Sequence, residues 1–470
     1  MTDELVTRPI FELAPLLHKR AISPVELFDA TLKRIQWLQP RLNSFITVAE
    51  EEGRRSAVRA EKEIERGQYR GPLHGIPISI KDLFATRGMR TTAGAKVFGN
   101  WTPDYDATAV ARLRTAGAVI IGKTNMHEFA YGVTNDNPHY GPARNPWDAK
   151  RVPGGSSGGS GAAVASDQCS ASLASDSGGS IRIPSAACGV VGLKPTYGRV
   201  SRYGAVPLAW SLDHVGPITK TVEDAAIFLS AIAGPDPGDS SSSSKPVPDY
   251  HDEISADIHG LRLGVPQHYF FDHVEPEIEQ AVRQAIGKLQ GLGMEVADID
   301  IAGLENCAAM EAHITLAEAT SYHEPHLKRQ ADDYGPGVRT DLEAGRFLLA
   351  TDYVKSQRAR TWLQRNFRAV FNSVDVIVSP TLPAFPPLVG EEWVQSGSLR
   401  ENVIDAFLRL NIPYDLTGLP AISLPCGFSS TGLPIGLQIA ARAFEEGTAL
   451  KVAYAYQQAT AWHKAQPALA

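Results

Sequence analysis

Apolar and polar positions along the chain follow two periods, and the switches between them predict its elements. Over 23–39, Val25, Phe28, Leu32, Ile35 and Leu38 fall on one stripe, with Ser23 as N-cap and Pro24 in the first turn. That pattern predicts an amphipathic helix. A charged helix over roughly 50–66 follows and stops at Gly67. Ile76, Ile78 and Ile80 alternate as on a strand; Pro77 predicts a brief or edge strand, and Lys81 a solvated end on the opposite face. DATAVARLRTAG predicts a helix capped by Asp106 and stopped at Gly117, and AVIIGKTNM after it a buried strand. The β–α–β alternation predicts an α/β protein.

The second half repeats the pattern. Thr221 caps a helix over 221–234, and LRLGVPQ, PEIEQAVRQAIGKLQGLG and MEVADIDI read as strand, helix and strand. Residues 305–370 read as mostly helical with a break at Gly335-Pro336-Gly337. VDVIVSP, LTGLPAISLPCG and LPIGLQIA read as core strands, and 444–462 as a closing helix. Between the halves, 234–249 is a Ser-rich low-complexity stretch and predicts an exposed loop, not a domain boundary. The expected organisation is one domain over 1–470: N-terminal helices 1–70, a core over 71–233, that loop, and a substrate-side and closing half over 250–470.

Composition narrows the partners. The net charge is −7 with no basic block, which argues against nucleic acid or an anionic membrane. No apolar leader or span of about 18 residues is visible, so a cytoplasmic chain is expected. Four scattered cysteines suit free thiols. His323, Glu324 and His326 suggest a metal site, but Pro325 is expected to break the helix that would align them, so none is predicted. No cofactor is predicted either.

Candidate chemistry sits in two Gly-Ser clusters, GGSSGGSG at 154–161 and SDSGGS at 175–180, set among apolar segments that a flexible linker lacks. The first matches the nucleophile elbow G-x-S-x-G twice, yet Pro153 and no apolar strand precede it. A phosphate loop needs a Lys-Ser/Thr ending that is missing. In the remaining reading Ser180 is the nucleophile, Ser156 a relay and Lys81 the base. The backbone N–H groups of Ser177, Gly178, Gly179 and Ser180 then form an oxyanion hole. A lysine serves as base only when burial or nearby positive charge makes it neutral.

HGIPISIKD, VPGGSSGGSGAAVA, SDSGGSIRIPSAACGVVGLKPTYGRVS, SLDHVGPI, LTGLPAISLPCG and LPIGLQI together resemble the amidase signature family, from about residue 5 to about 460. The resemblance implies a single α/β domain with a large mixed, mostly central β-sheet covered by helices. It implies Lys81 as base, Ser180 as the acylated serine and Ser156 as a serine behind a cis peptide bond, with Ser157 in support. Homodimerisation is a further implication. The glutaminase A subunit of a tRNA-dependent amidotransferase, acting in a complex, is the alternative. Ser177 and Ile183 stand where that branch typically has Thr and Gln, and 305–370 shows no clear glutamine-recognising segment. The main expectation is therefore a free-standing hydrolase of neutral amides or carbamates, acting on a small-molecule substrate with no partner subunit other than a second copy of itself. Its pocket is expected from 305–370 and the 379–390 loop, with Arg339 and Arg358 as the candidate anion anchors.

Overall fold

The computed structural model describes residues 2–469. An eleven-stranded mixed sheet runs through it, built from the strands that begin at Phe45, Val119, Pro77, Ala171, His214, Val191, Ala421, Pro434, Val376, Arg262 and Glu295, in that spatial order. Helices cover both faces, and a separate hairpin joins Trp393–Ser396 to Leu399–Asn402. This is the α/β class that the β–α–β alternation predicts, in the single domain with a large mixed sheet that the family resemblance implies. Among the described residues no helix is long and apolar enough to cross a membrane.

Three interior strands next to one edge of the sheet explain how the site is buried. Strands Pro77–Lys81, Val119–Thr124 and Ala171–Asp176 run parallel and are buried at every position. Alternate residues feed two cores: Ile78, Ile80 and Ile120 pack with Leu13 and Leu17 on one side, while Val119, Ile121 and Ala174 pack with Phe28 and Ile35 on the other. Lys81 lies opposite the isoleucines, as the alternation requires. Helix Gly158–Ala165, also fully buried, covers that face, so Lys81 is enclosed rather than solvated.

Three further expectations change. Pro77 opens an interior strand, because the first residue of a strand can do without an N–H. Helix Thr108–Thr115 has Ala107 at its N-cap, while Asp106 accepts from the Arg87 N–H at 2.7 Å instead. Pro325 sits inside helix Cys307–Gln330 rather than ending it. His323 is buried there with Nδ1 3.0 Å from the Tyr334 hydroxyl, and Glu324 pairs with Lys328 at 2.8 Å. The 234–249 loop is pinned to the core. Asp236 accepts from Thr108 and Ser201, and Asp239 from the Arg202 N–H at 2.8 Å.

Candidate active site

Both Gly-Ser clusters enter the site through turns that only small residues can make. In the first, a Cβ on Gly159 would lie 2.4 Å from the Asn125 carbonyl oxygen and 2.5 Å from that of Ser44, so the loop can approach the sheet only with glycine there. The Gly155–Ser156 peptide bond is cis. The second cluster leaves strand Ala171–Asp176, turns through Ser177–Ser180 and enters helix Arg182–Cys188. Gly179 holds φ +127°, in a space closed by Ile183 and Asn411. The strand-to-helix turn that the first cluster lacks is therefore present at the second.

Lys81 and the serines of both clusters meet beneath this turn. Lys81 Nζ donates to Ser156 Oγ at 2.7 Å and to Ser175 Oγ at 2.8 Å. Ser157 Oγ donates to the Ser175 carbonyl at 3.2 Å, tying the two clusters together. Lys81 is fully buried, and among the described residues no carboxylate lies within ion-pair distance of it. Burial pushes its ammonium down to about 7, against the more distant pull of Asp176 and Asp213. The Ser180 hydroxyl has no hydrogen-bond partner among the described residues, and Ser180 is 7% exposed where Lys81 and Ser156 are fully enclosed.

The four expected oxyanion donors narrow to three. Gly179 N–H donates to Asp176 Oδ1 at 2.6 Å and is committed. Those of Ser177, Gly178 and Ser180 have no acceptor among the described residues.

Asp176, which the sequence reading left without a role, organises the turn. It accepts from the N–H groups of Gly179 and Ile181 and from Arg182 Nε and Nη2, both at 3.0 Å. Burial alone would raise its carboxyl, but Arg182 overrides this and holds it well below the usual carboxylate range. Arg182 is itself fully buried and reaches on to Asp415 at 2.5 Å, the Asn411 carbonyl and Gln438. Its position inside SDSGGSIR is the signal that was available. Ser175 was missed for a different reason: a hydroxyl's partner across 94 positions is invisible in sequence.

His127 also lies at the site. Its backbone N–H donates to the Ser156 carbonyl at 3.0 Å, and its ring Nδ1 accepts from the Asn135 N–H at 3.2 Å. Burial first, then Lys81, pushes the ring down to about 4, so it is a neutral acceptor already in use. Beside it opens a cavity of about 350 Å³ lined by Tyr131, Gly132, Val338, Asp341 and Glu391 among others. The expected 305–370 and 379–390 segments contribute Gly337, Val338, Asp341 and Gly390 to it. Phe347 is 85% exposed instead, and Tyr322 lines a separate cleft with Lys96 and Trp101. Neither expected arginine is available as an anchor: Arg339 is held by Glu343 and Asp332, each at 2.8 Å, and Arg358 is exposed on helix Ala350–Val370.

A family model described as Amidase matches residues 26–450. The chain belongs to the amidase signature family. The A subunit of a glutamyl-tRNA(Gln) amidotransferase from Geobacter metallireducens is 42% identical over 484 residues, covering 98% of this chain and 99% of that protein. A solved chain from a vestigial protein complex, connected with the origins of an s-triazine catabolic enzyme, superposes with a TM-score of 0.92. It is 34% identical, covering 96% of this chain and 98% of its own. The A subunit of the glutamyl-tRNA(Gln) amidotransferase from Thermotoga maritima superposes with a TM-score of 0.81 at 35% identity, over 97% of this chain and 95% of that one.

These relatives overturn the expectation of a free-standing amide or carbamate hydrolase with no protein partner; the stated alternative fits them better. The two departures that favoured the hydrolase carry less than they promised. Ser177 Oγ donates to Asp213 at 2.6 Å, using the hydroxyl that serine and threonine share, and Ile183 packs against Gly154 and Gly179.

Proposed function

We propose that this chain is the amide-hydrolysing A subunit of a glutamyl-tRNA(Gln) amidotransferase, releasing ammonia from glutamine within a multi-subunit complex. The observation that carries this reading is 42% identity to a subunit of that name over nearly the whole of both chains.

The chemistry follows from the site. Ser180 Oγ attacks the side-chain amide carbonyl of glutamine while its proton passes through Ser156 to neutral Lys81. The new C–O bond places negative charge on the carbonyl oxygen, which accepts from the N–H groups of Ser177, Gly178 and Ser180. The proton returns from Lys81 through Ser156 to the leaving nitrogen, the C–N bond breaks, and ammonia departs. Water then attacks the acyl-enzyme by the same relay, giving glutamate and free Ser180.

The test is purification of the tagged chain from its own host, with and without co-purifying subunits, followed by ammonia release from glutamine. The complex is expected to exceed the isolated chain at least about tenfold, a coupling within the usual range for linked sites. An isolated chain that retains no partner and hydrolyses glutamine at the same rate, with or without glutamyl-tRNA(Gln) and ATP, would refute the reading.

A further inference from the structure

Helix Cys307–Gln330 carries a carboxylate to the oxyanion turn. A Cβ built on Gly178 would lie 4.0 Å from Glu311 Oε1, with Leu408 and Ile412 as its other neighbours. Glu311 makes no ion pair among the described residues. The only side-chain hydrogen bond it receives there comes from Thr315 Oγ1 at 2.8 Å, one turn along its own helix.

A structural role accounts poorly for this residue. A carboxylate kept for structure has a cation or several N–H donors beside it, and Glu311, part-buried next to the turn, has one hydroxyl. Burial pushes its carboxyl up to about 7, the mark of a group whose charge the fold leaves uncompensated. Its ionisable surroundings offer no cation. Tyr131 is held neutral by burial and by the carboxylates of Asp341 and Glu311, and Asp341 is itself raised by burial. A cationic group on the substrate would supply the missing compensation.

We propose that Glu311 selects the acyl donor, its carboxylate accepting from an ammonium group, or another strong N–H donor, carried a short chain away from the scissile carbonyl. Glutamine satisfies this with its α-ammonium, so the inference rests on the function proposed above and names the end of the substrate that this site reads.

Three donors that differ only at that end test the proposal: L-glutamine, 4-aminobutanamide, which keeps the ammonium, and glutaramate, which keeps only the carboxylate. With the assembled complex, Glu311→Gln is expected to lower kcat/KM about 30-fold for the first two and less than about threefold for the third, as loss of a charge-assisted hydrogen bond implies. Wild type should itself prefer 4-aminobutanamide over glutaramate by a similar factor, which keeps the question open to an answer if the variant misfolds. Equal losses on all three donors, or a wild-type preference for the carboxylate-bearing amide, would overturn it. If wild type ignores glutamine yet turns over 4-aminobutanamide with a preference that Glu311→Gln abolishes, the proposed function fails and the role of Glu311 stands.

Discussion

Two lysines lie at the ends of neighbouring parallel interior strands, Lys81 as the last residue of one and Lys123 as the last but one of the other, and they have opposite surroundings. Lys81 and Lys123 are both fully buried, and in register Lys81 faces Thr124 while Ile80 faces Lys123. Lys123 Nζ donates to the Phe84 carbonyl at 2.6 Å, to Thr91 at 2.8 Å and to Thr86 at 3.2 Å, with Asp82 at 3.8 Å. A carbonyl oxygen can only accept and a carboxylate favours a cation, so this cage suits an ammonium group. Lys81 instead meets two serine hydroxyls, which can donate as readily as they accept. A neutral amine fits there without losing a hydrogen bond. Burial lowers both, Lys81 to about 7 and Lys123 to about 8, but only at Lys81 do the partners tolerate the neutral form that a base requires.

Replacing each lysine by methionine, of similar length, breaks the comparison if it is wrong. Lys81→Met is expected to lower glutamine hydrolysis by the complex about a hundred- to ten-thousand-fold. Its unfolding free energy should change by less than about 2 kcal/mol, since the serine hydroxyls can reorient. Adding Ser180→Ala should cost far less than the product of the two single effects, because the groups act as a unit. Lys123→Met should show the converse in urea unfolding. Leaving Asp82 buried without its cation costs about 3–5 kcal/mol, while turnover per folded molecule stays within about threefold. Equal damage to stability and turnover in both variants would erase the distinction.

How much of this was legible in sequence follows the same divide. The interior strands, the capped helices at Ser23 and Thr221 and the β–α–β units were readable, because period and capping are local. Lys81 was readable as a base from the reading of the Gly-Ser clusters and the family they resemble, not from its own strand: a lysine after alternating isoleucines reads as solvated until helix Gly158–Ala165 is known to cover it. Asp176 and Arg182 stood inside a quoted motif, yet their role as the frame of the turn depends on Asn411, Asp415 and Gln438, more than 200 positions away. Glu311 had no signal at all in a helix of mixed composition. The misreading of function came from giving weight to Ser177 and Ile183, whose side chains keep a hydroxyl donor and a packing surface, and to the lack of a clear glutamine-recognising segment in 305–370.

The central claim is that neutral Lys81 drives acylation of Ser180, and single-turnover acylation by glutamine in the assembled complex, measured against pH, tests it most directly. Because burial lowers Lys81 to about 7, the amine is protonated below that pH and neutral above it. The acylation rate should therefore rise with pH through a midpoint near 7 and then level off. Lys81→Met should remove that rising limb together with most of the rate. A Lys81→Met variant that keeps the limb at near-wild-type rates would contradict the account and assign the base to another group.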